Sequence, residues 1–295
     1  MANRILLLAI LATWHLGGNS SADTLTVGLF APSAPFPSTA ARVDFASRLG
    51  EDVGKALGAP AAGKVYARAG DFAAAVKKGE VTVALVDATY LAVAGGNYTV
   101  LAASVRGGET AHAWQLVARG ASKISDLRGK RVLVPAIGGR ETDFVVDALL
   151  GGEVKRDYFG KIEVAPDSSS ALAALGLGKT DAAIVPAGVD LPSGATVVLK
   201  LPSLSGPVLV AYGTLPAAQR TALAAAAASF HGDATVSGFK TGEADAVRAV
   251  ARRFSPPVKR GPLAVPAVRL LVGDLVEGRT FTIERTPATA FVLTK

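Results

Sequence analysis

The sequence predicts an α/β fold of two similar lobes, each a mixed, mostly parallel sheet flanked by helices, with a ligand cleft between them. Three observations predict it. Residues 25–105 alternate apolar strand and amphipathic helix. The same alternation restarts over residues 107–203. Lys123 to Leu150 then holds a buried strand (Arg131 to Pro135), a glycine turn (Ile137-Gly138-Gly139-Arg140-Glu141) and a helix from Thr142. That unit points backbone N–H groups, and the positive end of a helix, at a ligand.

The elements follow in order. Leu25 to Phe30 is the first strand, and it runs into Ala31-Pro32-Ser33-Ala34-Pro35-Phe36-Pro37, where three prolines forbid helix or inner strand. Ser38 or Thr39 sits at an N-cap position. Phe45, Leu49, Val53 and Leu57 recur every four residues and mark the helix that follows, with Gly58 as its stop. Lys64 to Arg68, Val81 to Val86 and Thr99 to Val105 read as strands. Gly70 to Gly79 and Ala88 to Ala94 read as helices.

In the second unit, Ala113 to Ala118, Ile162 to Ala165, Ala182 to Val185 and Thr196 to Leu199 are strands, and Ser169 to Leu177 is a helix. In the first helix after the glycine turn, Phe144, Val145, Ala148 and Leu149 share one face. Leu204 to Ala211 returns as an apolar strand. Helices follow over Pro216 to Phe230 and Glu243 to Phe254, and Ser255-Pro256-Pro257 ends the second. The segment 259–295 leans towards β-structure and has no assigned place.

Composition narrows the class. Half of the 295 residues are hydrophobic and 19% are charged, so a large core is within reach. Ala and Gly are abundant and aromatics are 6%, which favours closely packed helices and strands over an aromatic binding surface. Residues 1–22 read as a secretory leader: Arg4, an apolar run from Ile5 to Leu16, then Ser20-Ser21-Ala22 before Asp23. The run is shorter than the roughly 20 residues a membrane helix needs. The sequence has no cysteine, which excludes disulfides, thiolate metal sites, a cysteine nucleophile and a lipid-anchored leader.

The net charge of +7 is scattered, with no basic stripe interleaved with aromatics, so nucleic acid is not the expected partner. Only His112 and His231 follow the leader, too few for a histidine metal site. Gly178-Lys179-Thr180 lacks the earlier glycine of a phosphate loop, and no G-x-S-x-G occurs. No cofactor is expected.

Open α/β sheets bind ligands beyond the carboxyl ends of their strands. The ligand loops are therefore 31–39 and 87–90 from the first unit, and 137–142, 166–169 and 186–188 from the second. Arg140 is placed either to pair with an anion or to sit solvated in a first helical turn. Glu141 and Asp87 are placed to bind an amine, or to act as a first-turn acid and an N-cap. Tyr90 is core or cleft wall. Ser168-Ser169-Ser170 supplies an N-cap and a candidate ligand contact.

Several stretches carry a family resemblance. Ile124 to Val132 (ISDLRGKRV) resembles the "DLKGKRV" signature of type II periplasmic solute-binding proteins. Ala171 to Ala183 (ALAALGLGKTDAA) resembles their helix-to-strand run, and Gly79 to Asp87 with Tyr90 resembles a run of the first lobe. The chain is similar to the phosphonate-binding-like branch of ABC importer components over roughly residues 25–255.

The resemblance implies the two-lobed type II periplasmic-binding-protein fold. After the leader 1–22, lobe one is 23–105 plus 205–295 and lobe two is 106–204, with crossovers near Ser104–Gly107 and Ser203–Pro207. It implies a periplasmic, monomeric, non-enzymatic protein that closes on a small anion or zwitterion and delivers it to an ABC permease. Carried over by position, ligand contacts fall at Ser33, Ser38, Thr39, Asp87, Tyr90, Gly138, Gly139, Arg140 and Thr142, and Ser168 joins them from its own place at a helix start.

The second-lobe turn departs from the serine- and threonine-rich helix starts of phosphonate binders. It keeps only Thr142, with Arg140 and Glu141 beside it, so the solute class widens to phosphonate-like, phosphate or sulfonate. The alternatives are a solute-sensing or accessory partner of a receptor or redox complex on the same fold, and a secreted α/β hydrolytic enzyme.

Overall fold

The structure, a computed structural model, describes residues 24–255. The leader and the segment 256–295 lie outside the described residues. The chain begins with β1 (Leu25–Phe30), α1 (Thr39–Leu57), β2 (Ala61–Val65), α2 (Ala69–Lys77), β3 (Val81–Asp87), α3 (Ala88–Ala94) and β4 (Tyr98–Val105). A second run follows: β5 (Ala111–Arg119), β6 (Arg131–Pro135), α4 (Glu141–Asp143), β7 (Lys161–Ala165), α5 (Ser168–Gly176), β8 (Ala182–Pro186) and β9 (Ala195–Ser205). It closes with β10 (Pro207–Tyr212), α6 (Ala217–Ser229), β11 (Gly238–Thr241) and α7 (Ala246–Arg253).

The strands form two sheets, β11-β4-β10-β3-β1-β2 and β7-β6-β8-β5-β9. β1 pairs in parallel with β2 and β3, and β6 with β7 and β8. Both sheets are more mixed than the alternation predicts. β10 runs antiparallel to β3 and β4, and β5 antiparallel to β8 and β9. The reason is the two passages between sheets. A strand that enters directly from the other sheet needs no helical crossover, so it is free to lie antiparallel.

The first passage is β4 to β5. The second is β9 to β10, where the predicted single strand Leu204–Ala211 breaks at Gly206 between two sheets. β11 adds a strand that the sequence reading missed, because its four residues are too short to show alternation. The expected helix over Phe144 to Leu149 winds as a π-helix that buries Val146 along with the four predicted residues.

Three apolar clusters hold the elements. One runs without a break from the first sheet (Phe30, Val86) and α3 (Leu91) through α7 (Val247, Val250) and Phe144 of the π-helix to the second sheet (Leu116, Val134). The second lies between the other face of the first sheet and α1 with α6. The third lies under α5.

Small residues set the closest approach. A Cβ at Gly63 would lie 1.8 Å from the Ala46 carbonyl oxygen, and one at Gly50 would lie 2.4 Å from the Gly63 nitrogen. Helix α1 therefore rests almost backbone to backbone on β2. Gly63→Ala is expected to destabilise the protein by about 3 kcal/mol, the upper range for overpacking. Gly70→Ala, in the first turn of α2 with open space around it, is expected to be neutral or stabilising by up to about 1 kcal/mol. Denaturant midpoints of the two variants check both expectations.

Candidate functional site

The carboxyl ends of β1, β3, β6, β7 and β8 face one another across the gap between the sheets, and the candidate site is built there. The loop after β1 is its floor. Ala31, Ser33, Ala34 and Phe36 are buried, although a proline-rich loop is ordinarily a surface feature. A carboxylate holds it. The Ser33 N–H donates to Asp87 Oδ2 and the Ser33 hydroxyl donates to Oδ1, each at 2.7 Å. Asp87 is 1% exposed. Burial pushes its carboxyl up to about 6, against the two Ser33 hydrogen bonds and the charge of Arg42. Asp87 thus ties down the loop and offers no surface to an amine.

The second lobe lands on this loop. The Ser168 N–H donates to the Pro32 carbonyl at 3.1 Å, and its hydroxyl donates to the Ser33 carbonyl at 3.2 Å. The Ser169 hydroxyl donates to the Phe36 carbonyl at 2.9 Å. The positive end of α5 therefore meets carbonyl oxygens of the first lobe. Beside it Arg42 of α1 pairs with Asp167 at 2.9 Å, both side chains largely buried. Burial would raise the Asp167 carboxyl, but hydrogen bonds from Ser170 and the Arg42 guanidinium outweigh it and hold the group below its ordinary value. Tyr90 closes the far side: a Cβ at Gly138 would sit 2.8 Å from its Cδ2, and Gly138 holds φ at +102°. Only glycine fits there on both counts.

The turn that the sequence marks as anion-binding is already filled. Gly138 and Gly139 do turn its backbone inward, at φ 102° and 111°. Glu141 Oε1, however, accepts from the Ile137 N–H and the Gly139 N–H, both at 3.1 Å. An acidic side chain sits where an external anion would. Arg140 points away: its Nε donates to Asp143 at 2.7 Å and its guanidinium lies over the Phe254 ring. Arg156 also pairs with Asp143, and that hydrogen bond holds the Asp143 carboxyl below its ordinary range, with Arg140 adding to it. Thr142 is half-buried in the first turn.

Ser38 caps α1 by accepting from the Ala41 N–H at 3.1 Å. It is exposed, as is Thr39, and both border an open notch with Arg42, Ser169 and Ser170.

A cavity on the crossover side joins two of the expected ligand loops, at Ser33 and Pro186, to residues not expected as ligand contacts. Ser33, Ala34 and Pro35 form one wall and Ser104 and Arg106 another, with His112, Trp114, Leu204, Thr235 and the turn at Gly206 around them. Its unfilled space is about 370 Å³ with open solvent at the mouth counted, and within it the centre of a water-sized sphere has about 20 Å³ to move in. Arg106 Nη2 donates to the Ala187 carbonyl at 3.0 Å. Burial and the nearby Arg106 charge push His112 down to about 4, so its imidazole is neutral at pH 7. The position of Arg106 at an expected crossover was the signal available for it. Among the described residues no group of His, Asp and Glu is arranged to hold a metal, and no helix is long and apolar enough to cross a membrane.

The Asp87 clamp has a pH signature. Its folded value, about 6, lies above the ordinary 3.8, so the folded chain holds this proton more tightly than the unfolded chain. The stabilisation from that proton is complete below pH 3.8 and is lost as pH rises through about 6. Asp87→Asn, which can accept from the Ser33 N–H and donate to its hydroxyl, is expected to fold and to lose this part of the pH dependence. Asp87→Ala strands the Ser33 N–H and is expected to cost about 1–3 kcal/mol. Urea unfolding from pH 3.5 to 7.5 checks both, and an unchanged profile in Asp87→Asn contradicts the assignment.

Known proteins match this architecture. The family model described as ABC transporter, phosphonate, periplasmic substrate-binding protein matches residues 34–254, about three quarters of the chain. No curated protein sequence matches. Among solved structures, the chain is similar to a binding protein component of an ABC phosphonate transporter from Pseudomonas aeruginosa, at TM-score 0.62 and 13% identity over 78% of this chain and 85% of that one. It is similar to PhnD1 of Prochlorococcus marinus, solved with methylphosphonate, at TM-score 0.61 and 12% identity over 78% and 96%. It also resembles XAC2383 of Xanthomonas citri, solved with ATP, at TM-score 0.57 and 12% identity over 78% and 96%. These likenesses speak for the fold, and the family model speaks for descent: the chain belongs to the phosphonate periplasmic substrate-binding proteins of ABC transporters.

Proposed function

We propose that this chain is exported by its leader, works as a monomer in the periplasm, and closes on a small oxyanion that it delivers to an ABC permease. One observation carries the reading. Polar contacts between the lobes gather at the strand ends, at Ser168 on Ser33 and Arg42 on Asp167, and beside them lies a cavity that carries Arg106, His112 and Ser104. A solute that fits the closed form adds its binding energy to those contacts and shifts the population towards closure. Chemical turnover is not needed for that work. Family membership supports a solute of the phosphonate, phosphate or sulfonate class.

A second reading, a solute-sensing or accessory partner, draws support from one feature. The largest apolar cluster spans both sheets, and opening the lobes must break it. Small-angle scattering separates the two readings. Compaction on adding solute fits a transport cycle, and an unchanged radius of gyration fits a permanently closed sensor.

The main test is a thermal-shift and calorimetric screen of the mature chain against methylphosphonate, phosphate and ethanesulfonate. A ligand at 100 times its Kd adds about 2.7 kcal/mol to stability, or roughly 5–10 °C for a chain of this size. No shift from any oxyanion overturns the reading. Removing the buried clasp by Arg42→Ala is expected to raise Kd about tenfold or more, chiefly through faster dissociation. Stopped-flow release reads this directly.

A further inference from the structure

Counting hydrogen-bond donors around the cleft shows where an anion has partners left. Each helix start facing the cleft has spent N–H groups on the protein's own acceptors. Ser38 Oγ takes the Ala41 N–H, Glu141 takes those of Ile137 and Gly139, Asp167 takes that of Ser170, and the Pro32 carbonyl takes that of Ser168. The other cations at the cleft have their charge matched by a carboxylate: Arg42 pairs with Asp167, although its buried Nε has no partner, and Arg140 pairs with Asp143.

Arg106 differs. It is half-buried, and among the described residues its guanidinium meets one carbonyl and no carboxylate. Of its five N–H donors, at least three remain to be used. Next to it, Gly206 brings the backbone close against His112 and Ser104 with no side chain between. A Cβ there would lie 3.2 Å from His112 Cδ2, 3.3 Å from His112 Nε2 and 3.3 Å from Ser104 Oγ. A histidine ring and a buried hydroxyl therefore converge at this point of the wall, and a side chain on residue 206 would press on both. The rest of the wall is uncharged: Trp114, held edge-on by Phe144, and Leu204 are its large apolar members, and Ser33, Ser205 and Thr235 add hydroxyl side chains. No carboxylate lines the cavity, because Asp87 is turned away under Ser33.

We propose that this crossover-side cavity seats the oxyanion, with Arg106 taking its charge and Ser104 and His112 donating hydrogen bonds, and that it selects solutes without an ammonium group. An ammonium placed here meets the like charge of Arg106 and no acid to pair it, and an unpaired buried charge is strongly disfavoured. A short alkyl substituent instead rests on Trp114 and Leu204. The inference rests on the solute-binding reading and narrows it from anion or zwitterion to anion alone.

The test is calorimetry of the mature chain with methylphosphonate and, as its ammonium-bearing counterpart, 2-aminoethylphosphonate. The parent is expected to prefer methylphosphonate by at least about tenfold. Arg106→Gln is expected to lose about 10–150-fold in affinity, the range for a hydrogen bond to a charged group, and Arg106→Lys to recover part of that. Arg140→Ala, on the outer surface, is expected to bind as the parent does. Gly206→Ala presses on His112 and Ser104 and removes no donor, so it tests the same seat should Arg106→Gln fail to fold; it is expected to weaken binding.

Parent-like affinity in Arg106→Gln or in Gly206→Ala overturns the proposal and leaves the solute-binding reading standing. Tighter binding of 2-aminoethylphosphonate also overturns it. Failure of the parent to bind either compound, phosphate or ethanesulfonate overturns the solute-binding reading itself.

Discussion

The interlobe architecture depends on one buried carboxylate. Asp87 ends the central strand β3, and both of its oxygens are engaged by Ser33, fifty-four residues earlier in the chain. Burying a carboxylate is costly unless hydrogen bonds replace its water. Here that cost is met by pinning the proline-rich loop inside the molecule. The loop in turn presents the carbonyls of Pro32, Ser33 and Phe36 to the second lobe. Without that anchor, the start of α5 would have no fixed acceptors to land on.

On this platform the two lobes meet through three different kinds of contact. Hydrogen bonds join α5 to the loop, a shielded ion pair joins Arg42 to Asp167, and Tyr90 packs flat against Gly138. The ion pair is the most directional of these. Its location matters more than its strength, since a buried pair gains little net energy over an apolar contact but penalises loss of either partner severely. Such contacts favour one closed geometry over many loosely closed ones. The glycine at 138 plays the same part sterically, because any side chain there would hold the lobes apart.

The acceptors that satisfy the helix starts also determine the chemistry available to a solute. Helix N-termini are the usual anion seats of α/β sheets. In this chain Glu141, Asp167 and Ser38 occupy them. Electrostatic capacity is thereby displaced towards the crossovers, where Arg106, His112 and Ser104 adjoin one another. Two strands that pass between the sheets carry these residues, so a solute there touches both lobes and the connections between them at once.

The sequence by itself determined the α/β class, the doubled layout, most element boundaries and the family, because these rest on local periodicity, turn chemistry and contiguous motifs. Ala88 to Ala94 and Arg131 to Pro135 are read directly from such patterns. It also indicated which loops gather at the strand ends, because strand order along the chain implies where those ends lie. It did not decide what the side chains in those loops do. Asp87 reads equally as cap or ligand contact until Ser33 is seen against it. Arg140 reads as an anion partner until Asp143 and Phe254 are seen beside it. Glu141 folds back onto its own turn, a choice between backbone and solvent that spacing cannot express. The direction of the crossover strands, and the meeting of Arg106 with Ser104 and His112, likewise arise from tertiary structure alone. They depend on pairings between residues distant in sequence, whose free energies are settled by burial and by which donors are already spent.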